Sequence, residues 1–210
     1  MGENGAKGEG RPWTVAVICG ASGVGKSTIG RALSVRYGVP LGDVDDMITA
    51  IKTITSPREQ PLLHLWDTDS DTRTWSPARI ADHHLAVTDV VLPAIRAVIA
   101  DHLEFDAPVV LEGDYLAPEL VVEFGAEVRA VVLDEPDAGQ IAANMRAREP
   151  NWDHVDFRAS VSVATGAMLA ARARAIGVPV LRPSPWADGL ERVEAALRNP
   201  VTVSGAGRRG

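Results

Sequence analysis

Residues 20–28 read GASGVGKST and follow an apolar segment, 13–19, that reads as a buried strand. The run satisfies the pattern Gly-x-x-x-x-Gly-Lys-Ser/Thr, a loop that works only between a strand and a helix. Gly20, Gly23 and Gly25 permit the positive-φ backbone that turns successive N–H groups inward around an anion, and Lys26 brings a point charge for the β- and γ-phosphates. Ser27 is placed to ligate Mg²⁺. Ile29, Leu33 and Val35 then recur at roughly helical spacing, so the loop opens a helix whose N-terminus adds its dipole to the site. The expected nucleotide-binding set is Gly20, Ser22, Gly23, Val24, Gly25, Lys26, Ser27 and Thr28, with a nucleoside triphosphate and Mg²⁺ as ligands.

A chain of 210 residues fits one domain, and 46% hydrophobic residues suffice for a substantial core. The net charge of −7 weighs against nucleic acid or an anionic membrane as the main partner, because either favours a basic surface. Small-molecule chemistry fits better. The single cysteine, Cys19, excludes a disulfide framework and reads as a small core residue. No wholly apolar run approaches the roughly 20 residues of a membrane span, and the N-terminal segment lacks a signal peptide's apolar stretch, so a cytoplasmic protein is expected. Residues 1–11 and 200–210 are rich in glycine and charge and are expected as disordered tails around a domain of 12–199.

Within that domain short β-like runs at 13–19, 40–42, 108–112, 128–133 and 179–181 alternate with helical patterns at 26–37, 45–54, 77–103, 118–124, 136–148, 157–176 and 187–197. The alternation predicts a parallel α/β sheet. Ser76-Pro77 is a helix start, and Pro93 is expected to kink or break the third helix. Residues 56–75 have no clear period and read as an acceptor-binding loop; 146–156, between two helices, read as a lid.

Ligands of such sheets sit at the carboxyl ends of the strands. Acidic residues follow three strands there: Asp43, Asp45 and Asp46; Glu112 and Asp114, with Tyr115; Asp134 and Glu135. Beside a Mg-nucleotide, carboxylates can hold the metal, accept the proton of an attacking hydroxyl, or orient the acceptor. Asp45 is the first choice for base. Asp43 is the metal-side partner, since alternate residues of an extended strand end share a face. Asp46 is balanced between function and helix capping, Glu112 between substrate and a water-mediated metal contact, and Asp114 between substrate and a turn. Arg146 and Arg148 stand where lid cations over a γ-phosphate would, with Arg158 a weaker candidate. His64 and Trp66 either line the acceptor pocket or pack the 56–75 loop. Lys52, Arg58, Arg73 and Arg79 are the cations nearest the acidic residues, with Arg58 taken as a substrate contact. His83 and His84, adjacent on a helix, point in different directions and make a poor metal pair. Arg182 and Trp186, in the loop after the fifth strand, are expected to wall the adenine.

With GASGVGKST, the Asp-Val-Asp-Asp after the second strand and the Arg-Ala-Arg lid, the chain resembles the P-loop small-molecule kinases, the group of shikimate, gluconate, chloramphenicol and adenylate kinases, over residues 13–198. The resemblance implies a three-layer P-loop NTPase fold of class α/β, a five-stranded parallel sheet of order 2-3-1-4-5 with helices on both faces, and an arginine-bearing lid. VDDMITAI is similar to a segment of chloramphenicol phosphotransferase whose aspartate is the base, which implies that role for Asp45. SGVGKST, VDDMITAI and PLLHLW together resemble 2-phosphoglycerate kinase-like proteins. LEGDYL departs from the triple-glycine turn of shikimate kinases, which weighs against that acceptor. The expected activity is transfer of the γ-phosphoryl group of ATP to a hydroxyl of a small molecule: a polyol, nucleoside, aminosugar, natural product or phosphorylated acid. The second reading is an ATP-binding regulatory module. No nucleic-acid or membrane partner is expected, and a homodimer stays open.

Overall fold

A computed structural model describes residues 10–199. Five parallel strands, β1 (Val15–Gly20), β2 (Leu41–Asp43), β3 (Val109–Gly113), β4 (Val128–Leu133) and β5 (Val180–Leu181), form one sheet of order β2-β3-β1-β4-β5. Among the described residues eight α-helices connect and cover them: α1 (Lys26–Tyr37), α2 (Val44–Ile54), the single turn α3 (Leu65–Thr68), α4 (Pro77–Glu104), α5 (Leu120–Phe124), α6 (Ala138–Arg148), α7 (Val155–Ala175) and α8 (Gly189–Arg198). The expected sheet order is the one observed. Most of the expected tails lie outside the described residues; Arg11 lies within them, its guanidinium 5.2 Å from the Trp13 ring centroid.

Strand alternation divides the core. Val15, Val17 and Cys19 face one helical layer, where α4 contributes Val91, Ile95 and Ile99 and the end of α7 contributes Leu169 and Ala173. Ala16 and Ile18 face the other, built from Ile29 and Leu33 of α1, Ile141 and Met145 of α6, and Val193 and Leu197 of α8. Helix α7 crosses between layers: Val155 and Ala159 at its start pack with α6, and its later turns lie against α4. Cys19 is fully buried among apolar side chains, which pushes its thiol up and leaves it a core residue.

Helix α4 runs unbroken through Pro93, so of the expected kink or break the break does not occur. Pro93 lies on the exposed face, as does Asp89, whose carbonyl loses its helical partner there, while Val91, Leu92 and Ile95 stay buried on the other face. By length and composition alone α4 is apolar enough to cross a membrane, which the run-by-run reading did not anticipate; 44% of its most apolar window is buried inside the protein, against α7 and the sheet. The 56–75 segment has local structure after all: α3, and a 3₁₀ turn over Ser70–Thr74 started by Asp69, which accepts from the Asp71 N–H.

Candidate active site

The chain leaves β1 at Gly20 and enters α1 at Lys26, and the turn between them is closed by side chains from elsewhere. Gly23 and Gly25 take φ values of 78° and 93°, which side chains rarely adopt. A Cβ on Gly25 would lie 2.1 Å from the Trp186 ring, so the indole rests directly on the loop. Asn144 of α6 donates to the Gly23 carbonyl at 2.9 Å, pinning the loop from the opposite side. Lys26 is buried, donating to the Ala21 carbonyl at 2.9 Å and pairing with Asp114. The loop borders a cavity of about 980 Å³ at the carboxyl end of the sheet, where β1 stands between β3 and β4.

Four carboxylates from the ends of β2 and β3 line this cavity beside Lys26: Asp43, Asp45, Glu112 and Asp114. Asp43 and Asp45 both line it, but not as neighbours on a strand face: β2 ends at Asp43, whose side chain caps α2 by accepting the Asp45 N–H at 2.9 Å, and Asp45 lies in the first helical turn. Asp46 is therefore not the cap. Asp45 accepts the backbone N–H of Asp114 at 3.0 Å. That approach depends on Gly113, where a Cβ would sit 2.9 Å from the Val44 Cβ and 3.2 Å from Asp45 Oδ1. Burial, with the charge of Asp114 added, pushes the Asp45 carboxyl up to about 7. Burial would push Asp114 up as well, but Lys26, helped by His84 and Arg148, outweighs it and holds Asp114 below its ordinary value. His84 makes a 2.9 Å hydrogen bond with the Asp114 carbonyl and stacks on Tyr115 at 4.3 Å between centroids. Tyr115 lies behind the cavity wall rather than on it, and burial beside two carboxylates pushes its phenol up to about 12.

Glu112 is 3% exposed and is raised by burial, an effect that the nearby Ser27 hydroxyl and the Lys26 charge oppose. Among the described residues no group of three or more His, Cys, Asp or Glu is arranged to hold a metal by itself. Ser27, Glu112 and Asp43 around one cavity suit Mg²⁺ instead, which keeps waters and phosphate oxygens and takes few protein ligands.

The lid segment brings one expected arginine to the cavity and sends one away. Arg146 and Arg148 are two residues apart on α6 and so project from different faces. Arg148 lines the cavity; Arg146 pairs outside with Asp156 at 2.7 Å. Arg158, from the first turn of α7, takes the second place, and the guanidinium groups of Arg148 and Arg158 both lie over the Trp152 ring. Arg182 does not line the cavity: it pairs with the fully buried Glu135 at 2.7 Å, and Ser184 joins them at 3.2 Å, so this third acidic position holds the 182–186 loop that carries Trp186.

His64, Trp66 and Arg58 belong to the α2–α4 insertion and not to the cavity. His64 is buried against Thr55, 3.2 Å away; Trp66 packs on Trp75 and His83; Arg58 is exposed. Lys52 is paired with Asp67 at 2.7 Å, and Arg79 stacks on Trp75. The cavity also holds residues that sequence reasoning passed over: Arg31, Asn144, Glu149 and Trp152. Glu149 and Trp152 fall within the expected 146–156 lid without being singled out there, and Arg31 lies one helical turn after Ser27 and Thr28.

No known family profile and no curated protein matches the chain. Among solved structures, the shikimate kinase of Acinetobacter baumannii in complex with shikimate superposes over 90% of this chain and 93% of its own, with a TM-score of 0.51 at 14% identity. The chain shares this three-layer P-loop fold. A gluconokinase from Sinorhizobium meliloti 1021 covers 89% of this chain and 92% of its own at 14% identity, TM-score 0.46. A Thermus thermophilus protein covers 88% and 95% at 23% identity, TM-score 0.48.

Proposed function

We propose that this P-loop protein is an ATP-dependent phosphotransferase acting on a hydroxyl of a small molecule. The observation that carries the reading is a single cavity in which the phosphate-loop residues Lys26 and Ser27 face a half-buried carboxylate, Asp45, whose proton affinity is raised toward neutrality. The loop amides and Lys26 bind the phosphates, leaving Asp114 when they do. Ser27, with Asp43 and Glu112, would hold Mg²⁺, which when bound neutralises phosphate charge. The acceptor oxygen forms a bond to the γ-phosphorus as the bond to the β–γ bridging oxygen breaks; ADP leaves with that electron pair, and the hydroxyl proton passes to Asp45. Arg148 and Arg158 face the charge that spreads over the transferring group.

A neutral or amino-bearing acceptor is favoured over a phosphorylated acid, so the 2-phosphoglycerate kinase-like reading ranks lower than one resembling chloramphenicol phosphotransferase. The support is the engagement of Lys52 with Asp67 and of Arg79 with Trp75, away from a cavity end that carries four carboxylates. Incubation with Mg-ATP and a panel of polyols, nucleosides, aminoglycosides and phosphorylated acids, reading ADP release and product mass, tests this. A gain of one phosphoryl group on one acceptor, lost in Asp45→Ala while ATP still binds, is the expected result. Tight ATP binding without acceptor-dependent turnover would favour the regulatory module.

A further inference from the structure

The lid arginines are held in an unusual way. Two guanidinium groups lie over the Trp152 ring, with the Arg158 carbon 3.8 Å and the Arg148 carbon 5.2 Å from the indole centroid. All three side chains line the cavity. They come from two helices and the link between them: Arg148 ends α6, and Arg158 lies one turn into α7. The backbone N–H of Trp152 donates to the Glu149 carbonyl at 3.2 Å, and His154, in a left-handed conformation at φ 57°, turns the chain into α7, whose first turn carries Arg158.

Stacking has a consequence that an ion pair would not. Arg146 spends its N–H donors on Asp156. A guanidinium held over an indole keeps its N–H donors for other partners; Arg148 gives its Nε to Glu149 Oε1 at 3.3 Å, which leaves its terminal amino groups, like the Arg158 guanidinium, to meet a ligand. Two such forks on one wall match a terminal phosphate, whose charge spreads over three oxygens and which accepts bidentate hydrogen bonds.

We propose that Trp152 is a positioning residue that fixes Arg148 and Arg158 as a pair, so that both meet the terminal phosphate of a bound triphosphate together. This inference rests on the phosphotransferase reading. It assigns Trp152 no contact with reacting atoms; the residue acts through the arginines.

The test compares the parent with Trp152→Leu, Trp152→Met and Trp152→Phe. Dissociation constants for Mg-ADP and for a non-hydrolysable Mg-ATP analogue are measured by calorimetry, alongside kcat, KM and the thermal midpoint. The parent binds the triphosphate more tightly than the diphosphate. Trp152→Leu and Trp152→Met lose that preference by about tenfold and lose kcat by about tenfold or more, with diphosphate affinity and midpoint unchanged, whereas Trp152→Phe keeps most of both. If the non-aromatic variants keep the parent's preference and kcat, the ring does not position the arginines. Equal losses in Phe, Leu and Met would assign the effect to side-chain bulk and likewise overturn the proposal. A parent with no triphosphate preference and no acceptor-dependent turnover would instead overturn the phosphotransferase reading, and this proposal with it.

Discussion

Asp45 shows what a site of this kind costs a single residue. Its carboxyl is moved from an ordinary 3.8 to about 7 by burial and by Asp114. Between those values the folded chain binds a proton that the unfolded chain has released, so stability falls as pH rises from about 4 to about 7 and the full cost is in place above that window. Asp45→Asn removes the charge and keeps the shape. Without nucleotide or divalent cation it should be more stable than the parent at pH 8 by on the order of 1–3 kcal/mol, with the gap closing by about pH 4, as thermal melts across that range would show. The same substitution should lower phosphoryl transfer at least 100-fold while leaving ATP binding in place. A pH-independent stability difference would mean that desolvation does not set the carboxyl's state.

Elements carry their own consequences. The 182–186 loop reaches the phosphate loop because Glu135, buried after β4, anchors it through Arg182 and Ser184. Glu135→Ala should free that loop and lift the Trp186 indole from Gly25, raising the KM for ATP about tenfold with the acceptor KM unchanged; steady-state kinetics varying each substrate in turn separates the two. Helix α4 tolerates Pro93 because the affected carbonyl faces water. Pro93→Ala should restore a backbone bond on that face and raise stability by about 1 kcal/mol, read as a higher urea midpoint at unchanged m-value. A fall in stability would show instead that the bend at Pro93 is needed to seat α4 on α7 and the sheet.

At the scale of the whole molecule, the cavity is assembled from five places in the chain: the phosphate loop, the β2–α2 junction, the end of β3, the α6–α7 link and the loop after β5. A ligand that touches all of them couples their stabilities. Mg-ATP at 100 times its dissociation constant should stabilise the fold by about 2.7 kcal/mol, and thermal melts at graded nucleotide concentration should follow that logarithmic law. Slower backbone hydrogen exchange should extend to the 149–154 link and the 182–186 loop as well as the phosphate loop. Protection confined to residues 20–28 would show that the lid and the base-side loop do not close on nucleotide.

The sequence by itself determined the strands, their parallel α/β arrangement and the identity of the phosphate loop, whereas the order of the strands was implied by the resemblance to P-loop kinases. Strand pattern, helix period and the glycine requirement of a tight anion-binding turn are all properties of neighbours in the chain. It also located Asp43, Asp45, Glu112 and Asp114, since strand ends face the ligand in a parallel sheet. Only the tertiary structure decided which arginine of 146 and 148 looks inward, because that depends on the rotation of α6 against α7. It also decided that Arg148 and Arg158 share the Trp152 ring, that Asn144 pins Gly23, and that Arg182 serves Glu135 while Trp186 covers Gly25. Each of these pairs joins residues whose meeting is set by packing between elements, and no local period encodes which face of one helix another will bury.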